Sequence, residues 1–82
     1  MKNNINPSHY QKNGFEVIDV IKEFTKELQG IQAVDTGNVI KYLSRWKEKN
    51  GLEDLLKARW YLNHLIKEVV KEKRYEGKRI IK

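Results

Sequence analysis

Apolar side chains recur every three or four residues along most of this chain, and this spacing constrains the fold more than any other feature. The period is that of an amphipathic α-helix, whereas a half-buried strand alternates at every second residue. Three stretches carry the pattern, and glycine-containing breaks at Gly30 and Asn50-Gly51 separate them. No stretch shows the alternation of a convincing strand. The sequence therefore predicts an all-α fold.

The ends of the first two helices are defined to different degrees. The first is expected from about residue 14 to residue 29, with Gly30 at the position of a C-terminal cap. The second is expected to end near Lys49, and it begins either at Ile31 or near Asp35. Asp35 or Thr36 could serve as its N-cap, so its start stays open.

The third helix is expected to start after Gly51 and to reach at least Lys71. Acidic residues in its first turn favour the helix dipole. Because Asn50-Gly51 is a short link, the second and third helices are expected to be antiparallel neighbours. The predicted architecture is a compact three-helix unit: an irregular N-terminal arm at residues 1–13, a helical domain at 14–71 and a basic C-terminal tail at 72–82.

The length and composition limit the class of protein. Eighty-two residues make one small domain with a thin core, so self-association would help to bury apolar surface such as Trp46 and Trp60. The absence of cysteine excludes disulfides and thiolate metal sites. No apolar run approaches the ~20 residues of a membrane span, and the N-terminus lacks the apolar stretch of a signal peptide.

Basic residues concentrate at the C-terminus. The net charge is +6, and residues 67–82 contain seven basic side chains against three acidic ones. A basic tail attracts nucleic acid or another polyanion without specificity. Because acidic residues are interspersed and no series of aromatics accompanies the tail, a solvated helix end is the favoured interpretation.

Asn38, Lys41 and Arg45 form the first candidate site. Their spacing places an amide, an ammonium and a guanidinium on one face of the second helix, with Tyr42 beside them. Arginine offers a planar fork that suits phosphate, and lysine adds a point charge. The face could hold an anion, although an ordinary solvated helix of a basic protein has the same pattern.

The N-terminal arm and the first helix supply two further candidates. His9 could donate to a phosphate and Tyr10 could stack on a base, unless Tyr10 only packs the arm onto the helices. Glu16 and Asp19 lie one helical turn apart and could share a divalent cation such as Mg²⁺. Glu53 and Asp54 could complete such a site from the third helix. The alternative is a set of solvated acids near helix starts.

A further set of polar residues keeps a helical rhythm along the third helix: Asp54, Lys57, Tyr61 and His64. The adjacent aromatic Trp60 cannot point into the same apolar stripe as Tyr61, so one of the two faces another surface. The sequence has no glycine-rich phosphate loop and no zinc-binding spacing.

Four blocks occur together in order, namely residues 6–10, 14–19, 37–45 and 53–62. In this order the chain resembles a family of small phage proteins of unknown function, some of which are described as phage nucleotide kinases. The resemblance covers about residues 6 to 66. It implies a viral origin, action in the cytoplasm of an infected bacterium and the handling of nucleotides. It also raises the interest of the residues within the shared blocks: His9, Tyr10, Glu16, Asp19, Asn38, Lys41, Tyr42, Arg45, Asp54, Lys57 and Tyr61.

Three functions follow as hypotheses. The first is a nucleotide-binding protein without catalysis that sequesters a nucleotide signal and so counters host defence. The second is a nucleoside monophosphate kinase, for which one small helical unit offers little room unless subunits share a pocket. The third is a nucleic-acid or protein binder that works through the basic tail. Catalytic residues stay unassigned, and Mg²⁺ is the one cofactor that the acidic residues suggest.

Overall fold

The computed structural model describes the backbone of residues 11–12 and 15–81 and the side chains of residues 16–74. Helices dominate this part of the chain, so the predicted all-α class is confirmed. The elements in chain order are β1 (Gln11–Lys12), β2 (Phe15–Glu16), α1 (Val17–Thr25), α2 (Gly30–Arg45), a 3-10 turn (Trp46–Glu48) and α3 (Leu52–Ile81).

The two β segments are only two residues long and pair antiparallel, with Gln11 opposite Glu16 and Lys12 opposite Phe15. They occupy the position where the first helix was expected to begin. Because Phe15 and Glu16 are extended, α1 starts at Val17 rather than near residue 14. Most of the predicted N-terminal arm lies outside the described residues.

α1 is also shorter than expected at its C-terminal end. The Thr25 hydroxyl donates to the carbonyl oxygen of Ile21 over 2.8 Å, and a turn follows in which the Leu28 N–H donates to the Thr25 carbonyl over 2.9 Å. The prediction that Gly30 caps α1 is wrong. Gly30 is the first residue of α2, where its φ of +58° is a conformation that glycine adopts without strain.

α2 begins before both of the starts considered from sequence, so Asp35 lies inside the helix and caps nothing. Gly37 is also internal, despite its low helix propensity. A β-carbon at Gly37 would lie 3.3 Å from the Cγ2 atom of Ile21 on α1. The missing side chain therefore allows α1 and α2 to approach closely.

The predicted antiparallel hairpin of α2 and α3 is present. The Gly51 N–H donates to the carbonyl oxygen of Trp46 over 2.7 Å and closes the link, and Gly51 has a positive φ of +59°. Side-chain contacts then pair Arg45 with Asp54, and Asp35 with His64, in opposite chain directions. α3 continues past Lys71 to Ile81, so the basic C-terminal segment extends the same helix.

α2 lies between α1 and α3, and the resulting unit is extended. Its radius of gyration is 16.0 Å, against about 12 Å for a globular domain of this length. α3 has 30 residues and α2 has 16, so α3 extends beyond the end of α2. Among the described residues the only buried hydrophobic side chains are Val17 and Ala58, and no helix there is long and apolar enough to cross a membrane.

Candidate functional site

Three cationic side chains from two helices lie around the ring of Tyr42. The Lys41 ammonium is 4.8 Å from the ring centroid, the Arg45 guanidinium carbon 4.9 Å and the Lys57 ammonium 5.6 Å. Each distance is within the range of a cation–π interaction. The arrangement concentrates positive charge at one half-buried aromatic side chain.

A second tyrosine extends this aromatic surface. The Tyr61 ring stacks on the Tyr42 ring with centroids 6.0 Å apart and an interplanar angle of 14°. Trp60 then meets Tyr61 edge to face at 5.0 Å. The set Lys41, Tyr42, Arg45, Lys57 and Tyr61 is called the cationic aromatic cluster below.

The helical hairpin explains why these side chains meet. Lys41, Tyr42 and Arg45 lie within about one turn of α2, whereas Lys57 and Tyr61 lie one turn apart on α3. Because the two helices are antiparallel neighbours, the end of α2 and the beginning of α3 face each other. The sequence predicted every member of this cluster as ligand-binding, and the structure brings all five together.

Arg45 also forms an ion pair with a buried carboxylate. Its Nε donates to Oδ2 of Asp54 over 3.3 Å and its Nη2 to Oδ1 over 3.4 Å. Asn50 donates to the same two oxygens, through its backbone N–H over 3.3 Å and its Nδ2 over 3.2 Å. Asp54 is fully buried, so this network satisfies a carboxylate that would otherwise be costly.

The same contacts determine the ionisation of Asp54. Burial by itself raises the pKa of this carboxyl, but the hydrogen bonds from Arg45 and Asn50 outweigh burial and hold its pKa below 3.8. Each oxygen already accepts two hydrogen bonds. Asp54 therefore anchors the turn between α2 and α3, and its predicted metal ligation stays a prediction.

The other predicted metal ligands lie elsewhere. Glu16 is half-buried at the end of β2, and Asp19 is exposed in the first turn of α1. Within residues 16–74 no group of three or more carboxylate, histidine or cysteine side chains could hold a metal ion. The carboxylates predicted for Mg²⁺ do not fit a common site, and the Mg²⁺ hypothesis stays a prediction.

The remaining predicted ligand-binding residues are not members of the cationic aromatic cluster. Asn38 is half-buried on α2, one turn before Tyr42. His9 and Tyr10 lie outside the described residues.

A part-buried pair that the sequence did not predict as a site joins the middle of α2 to α3. Nδ1 of His64 lies 2.7 Å from Oδ2 of Asp35, whose side chain is only 1% exposed. The Trp60 ring stacks nearly parallel on the His64 ring at 5.3 Å, and Glu68 Oε2 lies 3.9 Å from His64 Nε2. A carboxylate on one ring nitrogen orients a histidine and determines which tautomer it adopts.

One sequence signal could have revealed this pair. Asp35 lies four residues before Val39, on the stripe predicted to be apolar, and a carboxylate on such a stripe requires a buried partner. The residue was instead considered only as an N-cap. His64 was recognised only for its spacing on the third helix.

The comparisons with known proteins give one match. Residues 5–63 match the model of a family described as a protein of unknown function, DUF3310. No curated protein and no solved structure matched the chain. Because the match spans well over half of its length, the chain belongs to the DUF3310 family.

Proposed function

We propose that this member of the DUF3310 family binds a phosphate-bearing nucleotide at the cationic aromatic cluster. The observation that carries the proposal is the gathering of three cations from two helices around the Tyr42 ring, all within 5.6 Å of its centroid. Like charges gathered in this way repel one another, and an anion relieves that repulsion. A phosphate is the anion that lysine and arginine together recognise best.

The three cations differ in how their charge is balanced. Arg45 pairs with buried Asp54, and Lys57 lies 3.5 Å from Glu53, which is exposed to solvent. Lys41 pairs with no carboxylate among the side chains of residues 16–74. Lys41 and Lys57 are therefore the expected phosphate ligands, with Arg45 held behind them.

The aromatic residues beside the cations favour a nucleotide over inorganic phosphate. Trp60 is 60% exposed and makes an edge-to-face contact with Tyr61, so a flat apolar surface is available next to the charge. A nucleobase stacked on an aromatic side chain contributes about 1–3 kcal/mol. Binding in this proposal involves no chemical change, which suits a protein that sequesters a nucleotide signal in an infected bacterium.

Isothermal titration calorimetry with nucleoside mono-, di- and triphosphates and cyclic nucleotides, with and without Mg²⁺, tests the proposal directly. Lys41→Ala and Lys57→Ala are each expected to weaken binding roughly tenfold, because a charge-assisted hydrogen bond contributes about 1.5–3 kcal/mol. Lys22→Ala, on an exposed lysine of α1, is the matched control and should bind as the unmodified chain does.

Inorganic phosphate separates the two parts of the site. We expect it to bind more weakly than any nucleotide that shares its charge, because it cannot stack. If every nucleotide fails to bind, or if Lys41→Ala binds as well as the control, the proposal is wrong. Arg45→Ala is less informative, since it also removes the partner of buried Asp54.

Nucleotide phosphorylation is the second candidate function, and the contact between His64 and the buried Asp35 favours it. A carboxylate that holds one ring nitrogen of a histidine leaves the other to accept a proton. His64 lies one turn beyond Tyr61 on α3, and Trp60 contacts both rings. As a kinase the protein would transfer the γ-phosphoryl group of a nucleoside triphosphate to a nucleoside monophosphate and release two nucleoside diphosphates. Chromatography of each nucleoside monophosphate recovered after incubation with a nucleoside triphosphate and Mg²⁺ distinguishes the two functions: an unaltered ligand supports sequestration, and a nucleoside diphosphate product supports the kinase.

A single extended chain presents the cluster on an open surface, so we also propose that the working form is a homo-oligomer. The low number of buried hydrophobic side chains, Val17 and Ala58, supports this part of the proposal.

A further inference from the structure

α3 has a second apolar face that its own chain does not cover. On this face Leu52, Leu56, Ile66 and Val70 are all exposed, and Leu52 is 68% exposed. Ala58 and Asp54, which are buried, lie on the opposite side toward α2. A helix that is apolar on two sides has room for a second partner.

The spacing of this outer face is that of a coiled-coil seam. Its members follow one another at alternating intervals of four and three residues, which is the a/d pattern of a heptad. In order, the seam is Leu52, Leu56, Arg59, Asn63, Ile66 and Val70. Its two central residues are polar, and the two residues on either side of them are apolar.

Pairing the seam with itself in antiparallel orientation matches every layer. If the two-fold axis passes at the level of Tyr61 along α3, Leu56 of one copy lies opposite Ile66 of the other. At the ends of the seam Leu52 meets Val70 in the same way. Each of these apolar side chains therefore packs against an apolar side chain of the second copy.

The polar layers also match in this orientation. Arg59 meets Asn63 of the second copy, whose amide oxygen can accept from the guanidinium. A parallel pair would instead place Arg59 against Arg59, which brings like charges together in a seam.

The residues that flank the seam give independent support through their charge. In the same antiparallel register Glu53 of one copy faces Lys67 of the other, twice by symmetry, and both residues are exposed. In a parallel pair Glu53 would have no such basic partner, because residues at this heptad position then face Leu62 and its equivalents.

We propose that a second copy of this chain covers the outer face of α3, as a two-fold pair of antiparallel α3 helices centred on Tyr61. The proposal does not depend on the ligand of the cationic aromatic cluster. It accounts for the exposed large apolar side chains on this face of α3, because the second copy would bury four of them on each chain.

Disulfide cross-linking of the full chain tests the orientation, since the natural sequence has no cysteine. Leu52→Cys and Val70→Cys chains are mixed, oxidised and analysed by mass spectrometry. The antiparallel pair predicts mainly the mixed cross-link between the two variants, whereas a parallel pair predicts each variant linked to itself. Lys22→Cys, on an exposed residue of α1, measures random collision.

Self-linked products in excess would overturn the antiparallel register. A yield no higher than that of Lys22→Cys would overturn the interface itself, whether the face is bare, covered by another segment of the chain or bound to a different protein.

Charge reversal tests the proposed ion pairs without touching the apolar seam. By sedimentation, Glu53→Lys and Lys67→Glu are each expected to raise the dimer dissociation constant roughly tenfold, because two attractive pairs become repulsive. The double variant restores attraction and should return the constant to its original value. If the double variant is weaker than either single one, Glu53 and Lys67 do not face each other and the register is wrong.

Discussion

Two buried carboxylates join α2 to α3, and they are held in different ways. Asp54, near the turn, accepts hydrogen bonds from the guanidinium of Arg45 and from Asn50. Asp35, toward the middle of the hairpin, contacts the ring of His64, whose Nδ1 lies 2.7 Å from its Oδ2. Both are at most 1% exposed.

The difference lies in the number and charge of the hydrogen bonds that each carboxylate accepts. Arginine stays protonated at every accessible pH, so Arg45 presents a full positive charge to Asp54, and Asn50 adds two further donors. Asp35 instead lies against a single ring nitrogen of His64. We therefore interpret the Asp54 network as the stronger anchor of the hairpin, and the Asp35 contact as the weaker one.

Removing the charge of Asp54 is expected to have the largest effect. Asp54→Asn leaves the Arg45 guanidinium half-buried beside a neutral amide and turns one acceptor into a donor that faces other donors. We expect the thermal unfolding midpoint to fall by roughly 10 °C or more for a domain of this size. Glu27→Gln, on an exposed carboxylate in the turn after α1, is the control and should unfold close to the original midpoint. Equal midpoints for the two variants would show that Asp54 is no anchor.

Asp35→Asn is expected to have a smaller effect. The amide oxygen can still accept from the Nδ1–H of His64, so one hydrogen bond survives the substitution. We expect a fall of roughly 5 °C in the unfolding midpoint, measured beside Asp54→Asn under the same conditions. A larger fall for Asp35→Asn than for Asp54→Asn would reverse the proposed distinction between the two carboxylates.

The smallest expected effect is the pH dependence of the stability that Asp54 contributes. The pKa of Asp54 in the folded chain is below 3.8, the ordinary value, so the unfolded chain takes up a proton more readily. The stabilisation from Asp54 is thus complete above that ordinary value and is lost as the pH falls through the folded value. Urea titrations should show this acid loss in the natural chain and less of it in Asp54→Asn. The same loss in both would exclude Asp54 as its source.

Much of the helical framework could be predicted from the periodicity of apolar residues. That pattern gave three helices, the short link at Asn50-Gly51 and the antiparallel hairpin, because each depends on neighbours in sequence. The members of the cationic aromatic cluster could also be predicted from sequence, because those on α2 lie within about one helical turn, as do those on α3. Its proposed ligand remains a prediction.

The differences from the predicted helix bounds have both local and long-range causes. Gly30 is a residue type that often caps the C-terminus of a helix, but here it begins α2. α1 begins later than predicted because Phe15 pairs with Lys12 in a short hairpin. Gly37 is unfavourable within a helix by propensity alone, yet its missing side chain lets α1 approach. The approach of α1 to Gly37 is not determined by the residues next to Gly37 in sequence.

The sequence by itself determined the helices, the hairpin and the concentration of positive charge on α2, because hydrogen bonding and amphipathic spacing act over one or two turns. Only the tertiary structure decided which carboxylates are buried and which partners they have. Asp54 and Asp35 look like ordinary helix-start residues in the sequence, and each became a buried contact once α3 packed on α2. The physical reason is that burial of a charge depends on what the opposite helix presents, and helical periodicity carries no information about that partner.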